Sequence, residues 1–218
     1  MVITVCNQKG GSTKTTTAAT IARTLAGRGF DVLVVDGDPQ GGISALFGIS
    51  GPGVFDALCG DDPPPIDAGG LRVLPADHRL DRIAYTLPPF DLVELVKRYP
   101  AGAVVIDTPP TVQGITRCAA LAADVVIVPA DIARTTIGPT LYTLGELAAL
   151  KKTGRVVLVG KVPKDDARGF TAELYREFIA ELGKSYAGTL PRSVAMQKAA
   201  AGLAKVPAAA VEIMRGLL

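Results

Sequence analysis

Lysine, threonine and aspartate residues collect at three places in this chain where apolar runs end, and together they could hold a phosphorylated ligand. The first place is Lys9-Gly10-Gly11-Ser12-Thr13-Lys14-Thr15-Thr16, directly after the β-branched run Val2 to Cys6. A strand, a glycine turn and a helix start in that order bring unpaired backbone N–H groups and the positive end of a helix dipole to one point, which suits an anion. Lys14 adds a mobile positive charge for β and γ phosphates, and Thr15 puts a hydroxyl where a phosphate-bound Mg²⁺ needs an oxygen ligand. The second place is Asp36-Gly37-Asp38-Pro39-Gln40-Gly41, with two carboxylates at the end of a VLVV run. The third is Asp107, which ends AVVI and precedes Thr108-Pro109-Pro110. Plainer readings exist for each: a glycine turn, an Asp-Pro-Gly turn and a helix-capping aspartate.

These residues need strands and helices to bring them together. Lys14 to Ala26 has apolar Ala18, Ile21, Ala22 and Leu25 at helical spacing and stops at Gly27 to Gly29. Asp31 to Asp36 is apolar without alternation, the pattern of a parallel strand covered on both faces. Strand, helix and strand make one βαβ unit. Short helices follow at Ile43 to Phe47 and Val54 to Leu58, and a strand at Arg72 to Leu74. Two helical segments are expected between Leu80 and Tyr99, parted by Pro88-Pro89, the second with Leu92, Val93, Leu95 and Val96 on one face. Later strands are expected at Ala103 to Asp107, Asp124 to Pro129, Arg155 to Val159 and Tyr186 to Leu190. The intervening helices are Gly114 to Ala123, Gly138 to Lys152 (Leu141, Leu144, Leu147 and Ala148 inward), Ala167 to Leu182 and Val194 to Ala204, with a packed helix over Val206 to Leu218. The expected fold is α/β, a doubly wound, mostly parallel sheet with helices on both faces, as one domain over residues 1–218. The proline-rich stretch Gly60 to Gly70 is expected to be a surface loop.

At 218 residues and 48% hydrophobic content the chain can bury a sizeable core. It has no long apolar run, and its N-terminus enters a strand without a basic leader, so neither a membrane span nor a signal peptide is expected and a cytoplasmic location is. The three cysteines, Cys6, Cys59 and Cys118, lack metal-ligand spacing and are expected to be reduced core residues. The lone His78 has no partner set nearby and is expected in a solvated loop. Charge is uneven: residues 1–150 carry a net −4 and residues 151–218 a net +6. A basic C-terminal third suits a polyanionic partner or a solvated face.

The strict phosphate-loop pattern G-x-x-x-x-G-K-[ST] fails at Gln8 and Thr13. The deviant form K-G-G-x-G-K-T-T fits, with only Thr13 departing. At this stretch, and again at D-x-D-P-Q-G (Asp36 to Gly41), D-T-P-P (Asp107 to Pro110) and A-D-x-x-I-x-P (Ala123 to Pro129), the chain resembles the ParA/MinD family of ATPases, small ParA-type members most closely. The resemblance implies ATP and Mg²⁺ as cofactors, cradled by Gly10, Gly11, Ser12, Thr13, Lys14, Thr15 and Thr16. It implies that Lys9 reaches across a dimer interface to the other subunit's nucleotide, and that Lys9, Lys14 and Asp38 form the catalytic set, Asp38 orienting the attacking water. It further implies that Thr15, Asp36 and Asp107 serve the Mg²⁺, that Gln40 to Gly42 and the Asp107-Thr108-Pro109-Pro110 segment open switch loops, and that Pro191 packs on the base. Where the family usually has an adenine-reading asparagine, this chain has Gly160.

The resemblance implies an ATPase switch: a homodimer forms on Mg²⁺-ATP, binds DNA without sequence preference, and is released when a ParB-like or adaptor protein stimulates slow hydrolysis. The cargo would be a plasmid, a chromosome region or a large protein assembly, with the ATP-bound form on the nucleoid. Lys184, Arg192, Lys198, Lys205 and Arg215 are the expected phosphate contacts on DNA. The first strand starts at residue 2, so no N-terminal helix-turn-helix extension is expected. A MinD-like membrane-associated regulator is the alternative, but Val206 to Leu218 is Ala-rich with one arginine, unlike a basic amphipathic membrane helix. A third reading, nucleotide binding with poor hydrolysis, follows from Thr13: a β-branched residue in a glycine-only conformation is strained by about 1–3 kcal/mol.

Overall fold

The computed structural model describes residues 1–164 and 166–217, with the side chains of Ala209 and Leu217 left aside. Leu218, the last residue of the expected terminal helix, lies outside the described residues. In chain order the strands are β1 (Val2–Val5), β2 (Val32–Asp36), β3 (Ile66–Asp67), β4 (Arg72–Leu74), β5 (Ala103–Asp107), β6 (Val125–Asp131), β7 (Gly154–Val159) and β8 (Tyr186–Leu190). The helices are α1 (Lys14–Ala26), α2 (Gly42–Phe47), α3 (Val54–Leu58), α4 (Asp91–Arg98), α5 (Ile115–Ala122), α6 (Arg134–Ala149), α7 (Phe170–Leu182), α8 (Val194–Ala200) and α9 (Ala208–Leu217).

The strands form one sheet in the order β3-β4-β2-β5-β1-β6-β7-β8, and only β3 runs antiparallel to its neighbour. Strands β2 and β5 are buried at every residue, as their unbroken apolar runs require for a sheet covered on both sides. Side chains alternate between two layers. Ile3, Val5, Val34, Val105 and Ile127 pack with α1, Ile43 of α2, Met196 of α8 and Met214 of α9. On the other face Leu33, Val35, Val104 and Ile106 meet α3, α4 and α5, while Val126, Val128, Val156 and Leu158 meet α6 and Phe178 of α7. This is the doubly wound arrangement expected. The register pairs Val5 with Asp107 and Asp36 with Asp107, which places the C-terminal ends of β1, β5 and β2 side by side.

Several expectations need correcting. The stretch from Gly60 to Gly70 is not all loop: Ile66–Asp67 pairs antiparallel with Arg72–Leu74 and caps the sheet edge. The first helical segment expected after Leu80 is only a 3₁₀ turn at His78–Arg82, closed by Asp77 accepting from the Arg79 N–H. Helix α6 starts at Arg134, before the expected Gly138, and tolerates Pro139 in its second turn, while Ala148 is exposed. Its buried face is Thr136, Thr140, Thr143 and Leu147, and the Thr140 and Thr143 hydroxyls bond the loop that follows β1. Helix α7 starts at Phe170 instead of Ala167, and α8 ends at Ala200 instead of Ala204. Cys6 and Cys118 are buried as expected, but Cys59 is exposed. His78 is exposed on its turn.

Candidate nucleotide site

The loop after β1 is tied down before it turns. Asn7 is fully buried, and its Nδ2 donates to Pro129 O (2.9 Å) and Thr140 Oγ1 (3.2 Å). Its Oδ1 accepts the Lys9 N–H at 3.0 Å, and Thr143 Oγ1 accepts the Gln8 N–H at 3.2 Å. The chain is thus clamped to β6 and α6 at the point where Gly10 and Gly11 begin the turn. A Cβ on either glycine would meet nothing within 4 Å, so both face open space. Thr13 has φ 63° and ψ 24°, the left-handed region that favours glycine, and its hydroxyl donates to Ser12 O at 2.5 Å. The glycine of the family pattern is therefore a conformational requirement, and threonine meets it under strain.

Gly10, Gly11, Ser12, Thr13, Lys14, Thr15 and Thr16 line a cradle of about 320 Å³ with Asp38, Gln40 and Pro110. The buried Ser12 Oγ has no partner among the described residues. An orphaned hydroxyl beside two bare glycines and the start of α1 fits an anionic ligand, which would bring acceptor oxygens to it. Lys14 is 7% exposed, and burial lowers its pKa while Asp107 and Asp38 raise it. Its Nζ donates to Lys9 O at 3.4 Å.

The three strand ends deliver their carboxylates to this cradle with different surroundings. Thr15 Oγ1 donates to Asp107 Oδ2 at 2.7 Å. Asp107 is fully buried and its pKa is pushed up to about 8, first by burial and then by the nearby Asp36. Asp36, also fully buried, accepts from Ser44 N (2.9 Å) and Ser44 Oγ (2.7 Å) through Oδ2, so it anchors the start of α2. Burial raises its pKa to about 6 against those bonds. Gly37 has to be glycine because a Cβ there would lie 2.7 Å from Asp107 O, and its N–H donates to that same oxygen. Asp38 is half-buried at the cradle's rim, with Oδ1 accepting the Gln40 N–H at 3.0 Å. Gly42 lies against Thr15, where a Cβ would be 2.8 Å from Oγ1.

No group of three or more His, Cys, Asp or Glu placed to hold a metal occurs among the described residues. The hard oxygens of Thr15 and Asp107 nevertheless suit Mg²⁺, which is usually bound by one or two protein oxygens together with substrate phosphates and water.

A second groove of about 80 Å³ shares Thr13 and Thr16 with the cradle and is walled by Val159, Leu190, Pro191 and Met196, with Arg192, Ser193 and Gln197 at its polar side. Pro191 thus falls beside the cradle.

The basic residues of the C-terminal third are not brought to one patch. Lys184 precedes β8 and Arg192 follows it, which puts them at opposite ends of a strand about 17 Å long. Arg192 pairs with Asp131 at 3.4 Å and Arg215 with Glu212 at 3.2 Å. Lys205 instead joins Arg23 and Arg28 around a groove of about 480 Å³ between α1 and α9. Arg23 and Arg28 were outside the expected set because they fall in the first helix region, where net charge gives no signal. Asn7, Ser44, Thr140 and Thr143 were also not singled out. Three threonines at i, i+4 and i+7 in α6 were the available sign of a polar face.

Comparison with known proteins places the fold in a family. The model of the CobQ/CobB/MinD/ParA nucleotide binding domain matches residues 3–203. The chromosome partitioning protein ParA of Caulobacter vibrioides (strain NA1000 / CB15N) is 31% identical over 231 residues, covering 91% of this chain and 83% of that protein. A plasmid partition protein from Borrelia burgdorferi superposes with a TM-score of 0.79 at 19% identity, over 98% of this chain and 96% of its own. The ATP complex of McdA(D38A) from Cyanothece gives a TM-score of 0.82 at 18% identity, over 99% and 94% of the two chains. The chain therefore belongs to the CobQ/CobB/MinD/ParA family of nucleotide-binding proteins, among its ParA-type partition members.

Proposed function

We propose that this chain is a Mg²⁺-dependent ATPase that closes into a homodimer on ATP, binds DNA without sequence preference, and positions a plasmid, a chromosome region or a large protein cargo as a ParB-like or adaptor partner stimulates hydrolysis. The observation that carries the reading is Lys9. Its backbone is held on both sides, by Asn7 at the N–H and Lys14 at the carbonyl, while its half-buried side chain has no ion pair or hydrogen bond among the described residues. A fixed lysine beside a phosphate cradle, left without a partner of its own, is suited to a phosphate presented by a second copy.

When bound, Mg²⁺ would be held by Thr15 with Asp107 behind it and would neutralise charge between β and γ phosphates. Lys14 and the backbone N–H groups of the loop bind and orient the phosphates, and Asp38 accepts a proton-side hydrogen bond from an attacking water at the rim. Asp36 keeps its role one step back, fixing α2 so that Asp38 and Gln40 face the cradle. The chemistry asked of these residues is positioning and charge, which phosphoryl transfer chiefly needs.

The alternative of a membrane-associated regulator is disfavoured by α9, whose Ala210 and Met214 are buried in the core against β8 and α1. A helix committed to the core has no free apolar face for lipid. No helix among the described residues is long and apolar enough to cross a membrane.

ATPase assays with plasmid DNA and filter retention of DNA, each with and without Mg²⁺-ATP, test the proposal. ATP-dependent retention that weakens steeply with salt is expected. Retention that ignores nucleotide, or pelleting with liposomes in its place, would refute it.

A further inference from the structure

Helix α2 has its two ends on different parts of the molecule. At its start Gly42 lies against Thr15, where a Cβ would be 2.8 Å from Oγ1, and Ser44 is bonded through its N–H and Oγ to the Asp36 carboxylate. At its end, about 8 Å further along the axis, the Phe47 ring lies under the Arg23 guanidinium, 5.0 Å from Cζ to the ring centroid. A helix of six residues is not stable by itself and takes its position from what it touches. Gly41 and Gly48 bound it with left-handed backbones, φ 63° and 65°, the kind of terminal residues that absorb a shift of the element between them.

Arg23 joins this helix to the basic groove. Its Nη1 donates to Gly69 O at 2.6 Å in the turn between β3 and β4, and a Cβ on Gly202 would lie 2.7 Å from Nη2. Its buried Nε has no partner among the described residues, so the guanidinium is held by one carbonyl, one ring and close packing. The same side chain walls the groove of about 480 Å³ that also carries Arg28 and Lys205. Helix α1 bears both Thr15 and Arg23, but a regular helix keeps their spacing fixed. The element that can shift against it, touching Thr15 and Asp36 at one end and Arg23 at the other, is α2.

We propose that α2 couples the cradle to the basic groove, with Phe47 and Arg23 as positioning residues: how Thr15 and Asp36 hold the start of α2 sets how the Phe47 ring holds the Arg23 guanidinium in the groove wall. The proposal rests on reading the cradle as a nucleotide site and the groove as a DNA contact, and concerns only the connection between them. Neither Phe47 nor Arg23 lines the cradle. Such coupling is reciprocal, so DNA raises the affinity for nucleotide by the same factor that nucleotide raises the affinity for DNA.

The test measures binding of a DNA duplex with and without Mg²⁺ and the non-hydrolysable analogue AMPPNP, and of Mg²⁺-AMPPNP with and without duplex. It compares the full chain with Phe47→Leu, Phe47→Tyr and Arg23→Lys, while sedimentation records dimer formation. The unmodified chain is expected to bind duplex on the order of tenfold more tightly with Mg²⁺-AMPPNP. Phe47→Leu stays apolar but removes the ring, and Arg23→Lys keeps the charge but not the planar guanidinium. Each is expected to cut the factor by roughly threefold or more, equally in both directions of measurement. Phe47→Leu is expected to keep its Mg²⁺-AMPPNP affinity without DNA, its dimer formation and its nucleotide-free DNA affinity. Phe47→Tyr keeps the ring and is expected to keep the factor. An unchanged factor in both Phe47→Leu and Arg23→Lys would overturn the proposal while leaving the two sites standing. Loss of Mg²⁺-AMPPNP affinity or of dimer formation in Phe47→Leu would also overturn it, since the ring would then act on the nucleotide site itself. Duplex binding by the unmodified chain that ignores Mg²⁺-AMPPNP would instead overturn the proposed function.

Discussion

Thr15 Oγ1 and Asp107 Oδ2 are joined by a 2.7 Å hydrogen bond between the first turn of α1 and the last residue of β5. Two groups with the oxygens a divalent cation wants are thus held against each other between α1 and β5, with Asp36 register-paired to the same aspartate.

This arrangement sets a pH dependence. Asp107 and Asp36 titrate at about 8 and about 6 in the fold, raised chiefly by burial. In the unfolded chain an aspartate titrates at about 4. The folded chain keeps protons that the unfolded chain has released, so their contribution is complete below about pH 4 and is lost as pH rises through 6 and then 8. Melting curves of the metal-free chain should fall across that window, and the upward shift given by Mg²⁺-ATP should grow over it. Asp107→Asn should flatten the high-pH part; an unchanged slope would show that Asp107 is already ionised.

Thr13 carries a left-handed backbone that costs about 1–3 kcal/mol for a residue other than glycine. Glycine there gives back roughly 0.4–1 kcal/mol through the unfolded chain. Thr13→Gly should therefore stabilise the chain modestly and raise Mg²⁺-ATP affinity or turnover. Denaturant titration and steady-state ATPase measure both, and destabilisation would mean that the Thr13 hydroxyl matters more than its strain.

Thr143→Val keeps shape while removing the acceptor for the Gln8 N–H, a loss of about 1–3 kcal/mol if that group is left unsatisfied. Because the same cluster holds Lys9 N–H through Asn7, turnover should drop further than Mg²⁺-ATP affinity. A proportional loss of both would place the cluster in general stability alone.

For DNA, the groove of Arg23, Arg28 and Lys205 predicts that Arg28→Ala and Lys205→Ala each weaken ATP-dependent binding evenly across sequences and lower the salt slope by about 1. Lys184→Ala, at the far end of β8, should change neither.

Much of this was legible beforehand because the chemistry lies where apolar runs stop. Val32 to Asp36 and Ala103 to Asp107 announce buried strands by unbroken branched residues, and a carboxylate ending each must lie at the ligand-bearing edge of a parallel sheet. Helix α1 was found to the residue, since Ala18, Ile21, Ala22 and Leu25 are all buried. What stayed hidden depends on contacts remote in sequence. Asn7 meets Thr140 across 133 positions and Ser44 meets Asp36 across a turn, so neither leaves a local pattern. On α6 three threonines share the interior with Leu147 while Leu141 and Leu144 sit at its margin, which hydrophobicity alone does not lead one to expect. Lys184 and Arg192 are near in sequence, yet the extended strand between them carries them to opposite ends of β8.

Sedimentation velocity of the Asp38→Ala chain, which should bind ATP without consuming it, is the most direct test of the switch. With Mg²⁺-ATP it should sediment as a dimer, and the added Lys9→Ala change should return it to a monomer that still binds nucleotide. A chain that stays monomeric at saturating Mg²⁺-ATP, or that dimerises equally well without Lys9, would contradict the account.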